Sequence, residues 1–291
     1  MVKLEKIFII LIRLRPIGGI VIFCLKEKED IKYFIVEEFQ ETGLLDYVFT
    51  TRIGGVSKKG FSELNLGLHV ADEKEAVIKN RKIAANLVNS KLKYMVAGEQ
   101  VHGTKIKRVT EKDLGKGALD YSTALAETDG LMTDSSNILL SSYYADCTPV
   151  SFLDPINRVV ALAHAGWKGT LDEIAKKMVA KLKKVYNTDS SELLVAVGPA
   201  IGGCCYQIGV EVVELFKAKF EYANNLIKKD KAGKYLLDLK KANAIQLRNA
   251  GLKSKNIIKN SLCTFCNEKL FFSYRRDGTK TGRMASLIKL K

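Results

Sequence analysis

Two imidazoles and one thiol stand out among the 291 residues. His102 lies in GEQVHGT, Cys147 in YADCTPV and His164 in ALAHAGWKG, each at the end of an apolar run and close to glycine or proline, in a chain that holds only 3 histidines. Nitrogen and sulfur donors suit zinc, which takes them in a tetrahedron, and three protein ligands leave the fourth position open for water, as in catalytic sites. Zinc brings a bound water's ionisation close to neutral pH and so makes it a nucleophile. The same residues support a metal-free reading, with Cys147 as nucleophile and His164 or His102 as its base. Taken singly, each also fits an ordinary structural part, a small buried thiol or a hydrogen-bonded turn imidazole. Asp146 neighbours Cys147, but in an extended segment it should point to the opposite face.

Elements must position these side chains. From about Ile31, strand-like and helix-like segments alternate. YMVAGEQVHG, NILLSSYYADCTP and RVVALAHAGWKG each read as a strand followed by a turn, so all three residues are expected at strand ends, where sheet proteins collect functional groups. EKEAVIKNRKIAANLVNS reads as a helix opened by Asp72. Thr170 and Glu173 make a T-x-x-E capping signature for a helix whose Ile174, Met178, Leu182 and Val185 recur on one face. ELLVAVGPAIGG reads as a buried strand; GVEVVELFKAKF and DLKKANAIQLRNAG read as helices, the second closed by Gly251. The pattern predicts an α/β (α+β) fold, a single domain with a central mixed sheet flanked by helices. Residues 31–291 form the predicted domain and residues 1–30 an N-terminal extension. KIFIILIRLRPIGGIVIFCLK is apolar, yet Arg13, Arg15 and Pro16 interrupt it, short of the roughly 20 uncharged residues a spanning helix needs. It lacks a small-residue cleavage site, and two strands joined through RPIGG fit it as well.

The formal net charge of +15 raises nucleic acid or another anion as a partner. The lysines are spread through helix-like segments such as KKMVAKLKKVY, however, without interleaved aromatics, which argues for solvated faces and against nucleic acid. Six cysteines at uneven spacing, in a chain long enough to bury a core, predict reduced thiols and a cytoplasmic protein. Cys204, Cys205, Cys263 and Cys266 could supply a four-thiolate zinc site, but adjacent cysteines rarely both reach one metal, so reduced core residues are expected. Arg52, Arg275, Arg276 and Arg283 sit in glycine-bearing basic loops and could clamp a phosphate. Asn65, His69 and Gln100 are polar candidates in ELNLGLHV and GEQVHG, and the helix start after HAGWKG, with Lys168, could hold an anion beside His164.

In order along the chain come FTTRIGGVSKKGFSELNLGLHVAD, EQVHGTKI, ETDGLMTD, YADCTPVSFLD, ALAHAGWKGT, VGPAIGGCCYQIG and CTFCNEKLFFSYRRDGTKTGRMA. From about Ile31 to the C-terminus these resemble the successive signatures of the laccase-domain family, also called the peptidoglycan editing factor or YfiH-type family. The resemblance implies a fold related to bacterial cysteine-hydrolase toxins and one zinc held by His102, Cys147 and His164. It also implies purine nucleoside chemistry: phosphorolysis of adenosine, inosine and methylthioadenosine, and deamination of adenosine. Purine nucleosides and phosphate are then the expected partners, with Arg52, Asn65, Gln100 and Lys168 as substrate-binding candidates. Lys168 stands where the family pattern has arginine, which keeps the charge and loses the forked geometry. Glu63 departs from the family's SLNLG motif, and residues 1 to about 24 have no counterpart in the pattern. Three histidines cannot build the imidazole-rich centres of a multicopper oxidase; copper at the single site remains compatible with its donors. The alternative reading is a hydrolase editing a peptidoglycan precursor through the zinc water or Cys147. A third is an anion- or nucleic-acid-binding protein.

Overall fold

Apolar residues alternate along most of the central strands, and the two faces they define enter different cores. In the computed structural model, which describes residues 23–291, Leu131, Leu153, Val160, Leu162 and Ala196 enter one core while Met132, Phe152, Val159, Ala161, Ala163, Val195 and Val197 enter a second. Tyr47, Phe49, Leu140, Tyr144, Met284 and Ile288 join the first core, and Val48, Leu139, Tyr143, Ala285 and Leu287 a third. This period-two partition makes two stacked sheets, each with a helical layer outside it.

The first sheet runs Phe23–Lys28, Ile31–Val36, Leu45–Thr50, Met284–Leu290, Leu139–Tyr144 and Met95–Ala97 in spatial order. The second runs Ile257–Lys259, Leu194–Val197, Thr148–Asp154, Val159–Ala165, Gly130–Thr133 and Ile106–Arg108. Both mix parallel and antiparallel pairs. Helix α1 (Lys74–Asn86) covers the first sheet through Ala84 and Ala85. Helix α2 (Ile174–Tyr186) covers the second through Ile174, Ala175, Met178, Val179 and Leu182, with α3 (Leu239–Asn249) beside it. A small three-stranded sheet, Gln207–Ile208, Tyr235–Leu237 and Ile227–Lys229, packs with the helix Val210–Lys219 as a satellite. The α/β single domain expected from the sequence is the one observed, its sheet built as two six-stranded layers. The Phe23–Lys28 strand pairs along its whole length with Ile31–Val36, so the folded unit takes in residues assigned by sequence to an extension. The RPIGG strand pair falls mainly on residues outside those described. Among the described residues, no helix is long and apolar enough to cross a membrane.

Three local expectations are corrected or met. The T-x-x-E capping box does not form: Thr170 lies inside a separate short helix, Trp167–Leu171, and Glu173 sits at φ 60° as the N-cap of α2 with no side-chain cap bond. Thr170 is instead buried beside Asn243 of α3, whose Nδ2 donates to its Oγ1 at 3.0 Å. Asp72 does not cap α1, whose N-cap is Glu73; one Asp72 oxygen accepts from Ser57 and Asn65 and so ties two loops together. Gly251, at φ +98°, follows α3 as expected.

One buried cation links these loops to the helix. Arg81 on α1 is 2% exposed, and its guanidinium donates to the carbonyls of Leu66, Gly117 and Ala118 and lies 4.4 Å from the Tyr143 ring centroid. Arg81→Met keeps much of the volume but strands three buried carbonyls. The expected result is a loss of about 3 kcal/mol, seen as a lower urea midpoint at unchanged slope.

Candidate active site and metal centre

Backbone register brings the three sequence-selected residues to one end of the inter-sheet core. Thr148 pairs with Ala165 and Pro149 with His164, so Cys147, just before its strand, lies across from Gly166, just after its own. His164 shares a strand face with Val160 and Leu162, which points its ring along the core, where it is 4% exposed. Asp129, immediately before Gly130–Thr133, accepts the His164 backbone N–H on its carbonyl at 2.9 Å. The Asp129 carboxylate then accepts the backbone N–H groups of Val101, His102 and Gly103 at 3.1, 3.0 and 2.8 Å. That cradle holds His102 at φ 63°, a left-handed conformation uncommon for residues with a side chain.

The same carboxylate contacts Nδ1 of His164 at 2.8 Å. A carboxylate accepts, so Nδ1 carries the proton and Nε2 is left for a metal or the thiol. The donor atoms of His102, Cys147 and His164 lie within 4.8 Å of one another, and the two imidazole rings meet edge to face with centroids 4.9 Å apart. A Cβ at Gly166 would come within 2.7 Å of His102 Cδ2 and 3.1 Å of Cys147 Sγ. Glycine therefore keeps this cradle open, and the donor set fits an N/S-preferring metal with one position left for another ligand. His102 lies at the exposed side and His164 at the buried side.

Electrostatics couple the buried pair. Burial alone would raise the Cys147 thiol, but the charge of His164 and the hydrogen bond from His102 outweigh it and bring it down to about 6. Burial likewise opposes protonation of His164, but Cys147 and Asp129 raise it to about 9. Each partner thus favours the charged form of the other; a metal would keep the thiolate and take the place of the imidazolium proton.

The remaining candidates separate into groups that hold loops and groups that flank the centre. Arg52 donates through Nε and Nη2 to the carbonyl of Ser62 and through Nη1 to that of Glu268, and it lies over Phe272. Gln100 is bonded both ways to the backbone of Tyr143. Asn65 is fully buried, and its Oδ1 accepts from the backbones of Gly67 and Arg283. Lys168 is exposed and leans toward the Trp167 ring. Arg276 is taken up by the carbonyls of Thr264, Phe265 and Phe271 and by Asp277. Arg283 and His69 lie on either side of Gly67, where a Cβ would meet both, and Arg283 is close enough to Cys147 and Asp146 to feel their charge. The Tyr206 phenol also senses Cys147, and its ring lies 4.9 Å under the Arg275 guanidinium.

Asp146 sits in a left-handed turn at φ 87°, between the strands Leu139–Tyr144 and Thr148–Asp154 and outside the extended segment expected for it. Its carboxylate accepts from Thr264 Oγ1, Ser273 Oγ and the Arg275 backbone at 2.6, 3.0 and 2.6 Å, tying the C-terminal loops to the strand end beside Cys147. Sequence reasoning missed Asp129, although ETDGLMTD contains it. The available signal was that a ligating histidine usually donates its other ring N–H to a carboxylate, a backbone carbonyl or water, and this acid precedes a glycine at a strand start. The expectation that Cys204, Cys205, Cys263 and Cys266 are core thiols is corrected: only Cys263 is buried, and Cys204 and Cys266 are exposed. Among the described residues, the groups that could hold a metal are this cysteine set and His102, Cys147 and His164.

Fold and donor set define an α/β sandwich protein with an open two-imidazole, one-thiolate centre at the end of its inter-sheet core. The chain belongs to the multi-copper polyphenol oxidoreductase laccase family, whose model matches residues 46–291. It is 41% identical over 243 residues to purine nucleoside phosphorylase YlmD of Bacillus subtilis (strain 168), covering 84% of this chain and 87% of that protein. Against purine nucleoside phosphorylase YlmD of Geobacillus stearothermophilus it is 43% identical over 240 residues, 82% and 88% of the two chains. The crystal structure of YlmD from Geobacillus stearothermophilus superposes with a TM-score of 0.87 at 40% identity, covering 94% of this chain and 100% of that one. His69 lies in neither metal-capable group, so two imidazoles reach the centre, too few for the family's multi-copper description.

Asp129→Asn keeps the size but turns an amide N–H₂ toward groups that themselves donate. Metal affinity should fall 10- to 100-fold, roughly what losing a ligand's orienting carboxylate costs, in a competition titration against a chromophoric chelator. Gly166→Ala should also lose metal while far-UV circular dichroism stays native; full loading in that variant would show that the cradle at Gly166 is not needed.

Proposed function

We propose that the protein is a zinc-dependent purine nucleoside phosphorylase with adenosine deaminase activity. The observation that carries this reading is the open His102–Cys147–His164 donor set, closed behind by Asp129 and reached from solvent on the His102 side. The names of the relatives supply the substrate class. Two imidazoles and a thiolate match zinc's preference for nitrogen and sulfur in a tetrahedron. When bound there, zinc would supply a Lewis acid and an acidified water.

The chain's own groups do the rest. Asp129 fixes the ring and tautomer of His164. Tyr206, near Cys147, and Tyr274, half exposed with Arg283 above it at 6.0 Å, present ring faces on which a purine could stack. In phosphorolysis the bond between the base nitrogen and C1′ breaks while a phosphate oxygen bonds to C1′. Phosphate must therefore be held beside a sugar that is gaining positive charge. Arg283 is the guanidinium assigned to that task, with Lys168 as an accessory cation; Asn65, Gln100 and Arg52 act as positioning residues for the loops that carry the site. In deamination water would add at C6 and ammonia leave; zinc held by His102, Cys147 and His164 would supply the acidified water.

A product assay on metal-quantified protein separates the activities. Adenine and ribose 1-phosphate are expected from adenosine only when phosphate is present, and inosine is expected without it. Neither product from zinc-replete protein would overturn the purine reading and favour the hydrolase acting on cell-wall precursors. Arg283→Ala should raise the apparent KM for phosphate about tenfold; an unchanged KM would remove Arg283 from the phosphate site.

A further inference from the structure

The four remaining clustered thiols lie outside the centre just described. Cys204 and Cys205 sit in a tight turn in which the N–H groups of Cys205 and Tyr206 both donate to the Gly202 carbonyl. Cys263 and Cys266 span a second turn, closed by Asn267, whose backbone and side chain both donate to the Cys263 carbonyl. The two turns are stitched together. Ala200 and Cys263 form a parallel bridge, Thr264 donates to the Ala200 carbonyl at 3.1 Å, and the Gly202 N–H donates to Cys263 Sγ at 3.1 Å.

All four sulfurs consequently lie within 4.8 Å of one another, with Cys204 to Cys266 at 3.8 Å and Cys205 to Cys266 at 3.3 Å. A tetrahedron of thiolates at the usual zinc–sulfur bond length of about 2.3 Å has sulfur–sulfur edges of about 3.8 Å. Reversal of the chain at Gly202 is what lets two adjacent cysteines face one point, against the sequence expectation. A Cβ on Gly202 would meet Cys204 Sγ at 3.0 Å and Cys263 Sγ at 3.5 Å, so this cradle too depends on glycine. A disulfide would join one pair and leave the other two thiols packed against it.

We infer that Cys204, Cys205, Cys263 and Cys266 form a second, structural metal site: a closed four-thiolate centre that takes zinc. Four thiolates around a divalent ion leave the site net negative, and Lys240 lies alongside. It is 9% exposed, its ammonium donates to the carbonyls of Asn260 and Leu262, and it is near enough to Cys263 and Cys204 to feel their charge. The site joins the turn that carries Tyr206 to the loop that carries Thr264, whose hydroxyl holds Asp146 next to Cys147. Zinc here would stiffen one wall of the open centre while leaving no position for a substrate. The inference does not depend on the proposed nucleoside chemistry.

Metal analysis of the full chain, purified without chelator, tests it. About two zinc ions per chain are expected, falling to about one in Cys147→Ala and to about one in the Cys204→Ser, Cys266→Ser double variant. Cobalt loaded in place of zinc should give intense thiolate-to-cobalt absorption in the near ultraviolet that survives Cys147→Ala and collapses in the double variant. Should the double variant fail to fold, Cys147→Ala alone still decides the matter. Titrating its thiols with an organomercurial in the presence of a zinc indicator should release about one zinc as the cluster reacts. Metal-free Cys147→Ala with all its thiols freely reactive, a Cys204–Cys266 or Cys205–Cys266 disulfide by mass, or iron in place of zinc would each overturn the assignment.

Discussion

The carboxylate of Asp129 is the constraint on which the centre depends. One buried side chain accepts three consecutive backbone N–H groups and an imidazole N–H, while its own carbonyl holds the strand that carries that imidazole. Charge-assisted bonds of this kind are among the stronger hydrogen bonds a protein makes. They set the left-handed turn that aims His102 and the tautomer that aims His164. Cys147 is placed independently by the register of the adjoining hairpin. The metal-capable geometry is thus where one hydrogen-bonded loop meets one strand pair.

The stacked sheets explain why this meeting point is both rigid and accessible. His164 occupies the last position of a core-facing stripe, so its ring is packed on the protein side by Tyr144, with ring centroids 5.6 Å apart. His102 closes the opposite side from an exposed loop. Burial raises the thiol and disfavours the imidazolium, yet their proximity reverses both tendencies. The ion pair wins because each partner supplies the charge that desolvation would otherwise penalise.

Several polar residues that the sequence offers as substrate-binding candidates also hold loops together. Arg52, Gln100 and Asn65 lie in loops that lack a regular ladder, and their side chains pair with backbone groups that would otherwise be unsatisfied. A guanidinium that clamps phosphate and one that clamps carbonyls have the same local sequence, so composition cannot separate them. Asp146 illustrates the reverse case: it reads as a neighbour of the thiol in an extended segment, but it sits in a left-handed turn, and three groups from residues 264–275 converge on its carboxylate.

The sequence by itself determined the mixed strand-and-helix pattern, the core face of α2 and the selection of His102, Cys147 and His164, because periodicity, turn residues and donor chemistry are local properties. Tertiary structure decided what depends on distant partners. It split the sheet into two layers, broke the T-x-x-E helix at Glu173, recruited Asp129, and folded two turns so that Cys204, Cys205, Cys263 and Cys266 meet. The physical reason is that hydrogen bonds and metal–ligand bonds act over a few ångströms in space, whatever the separation along the chain, and only the folded backbone fixes which groups come that close.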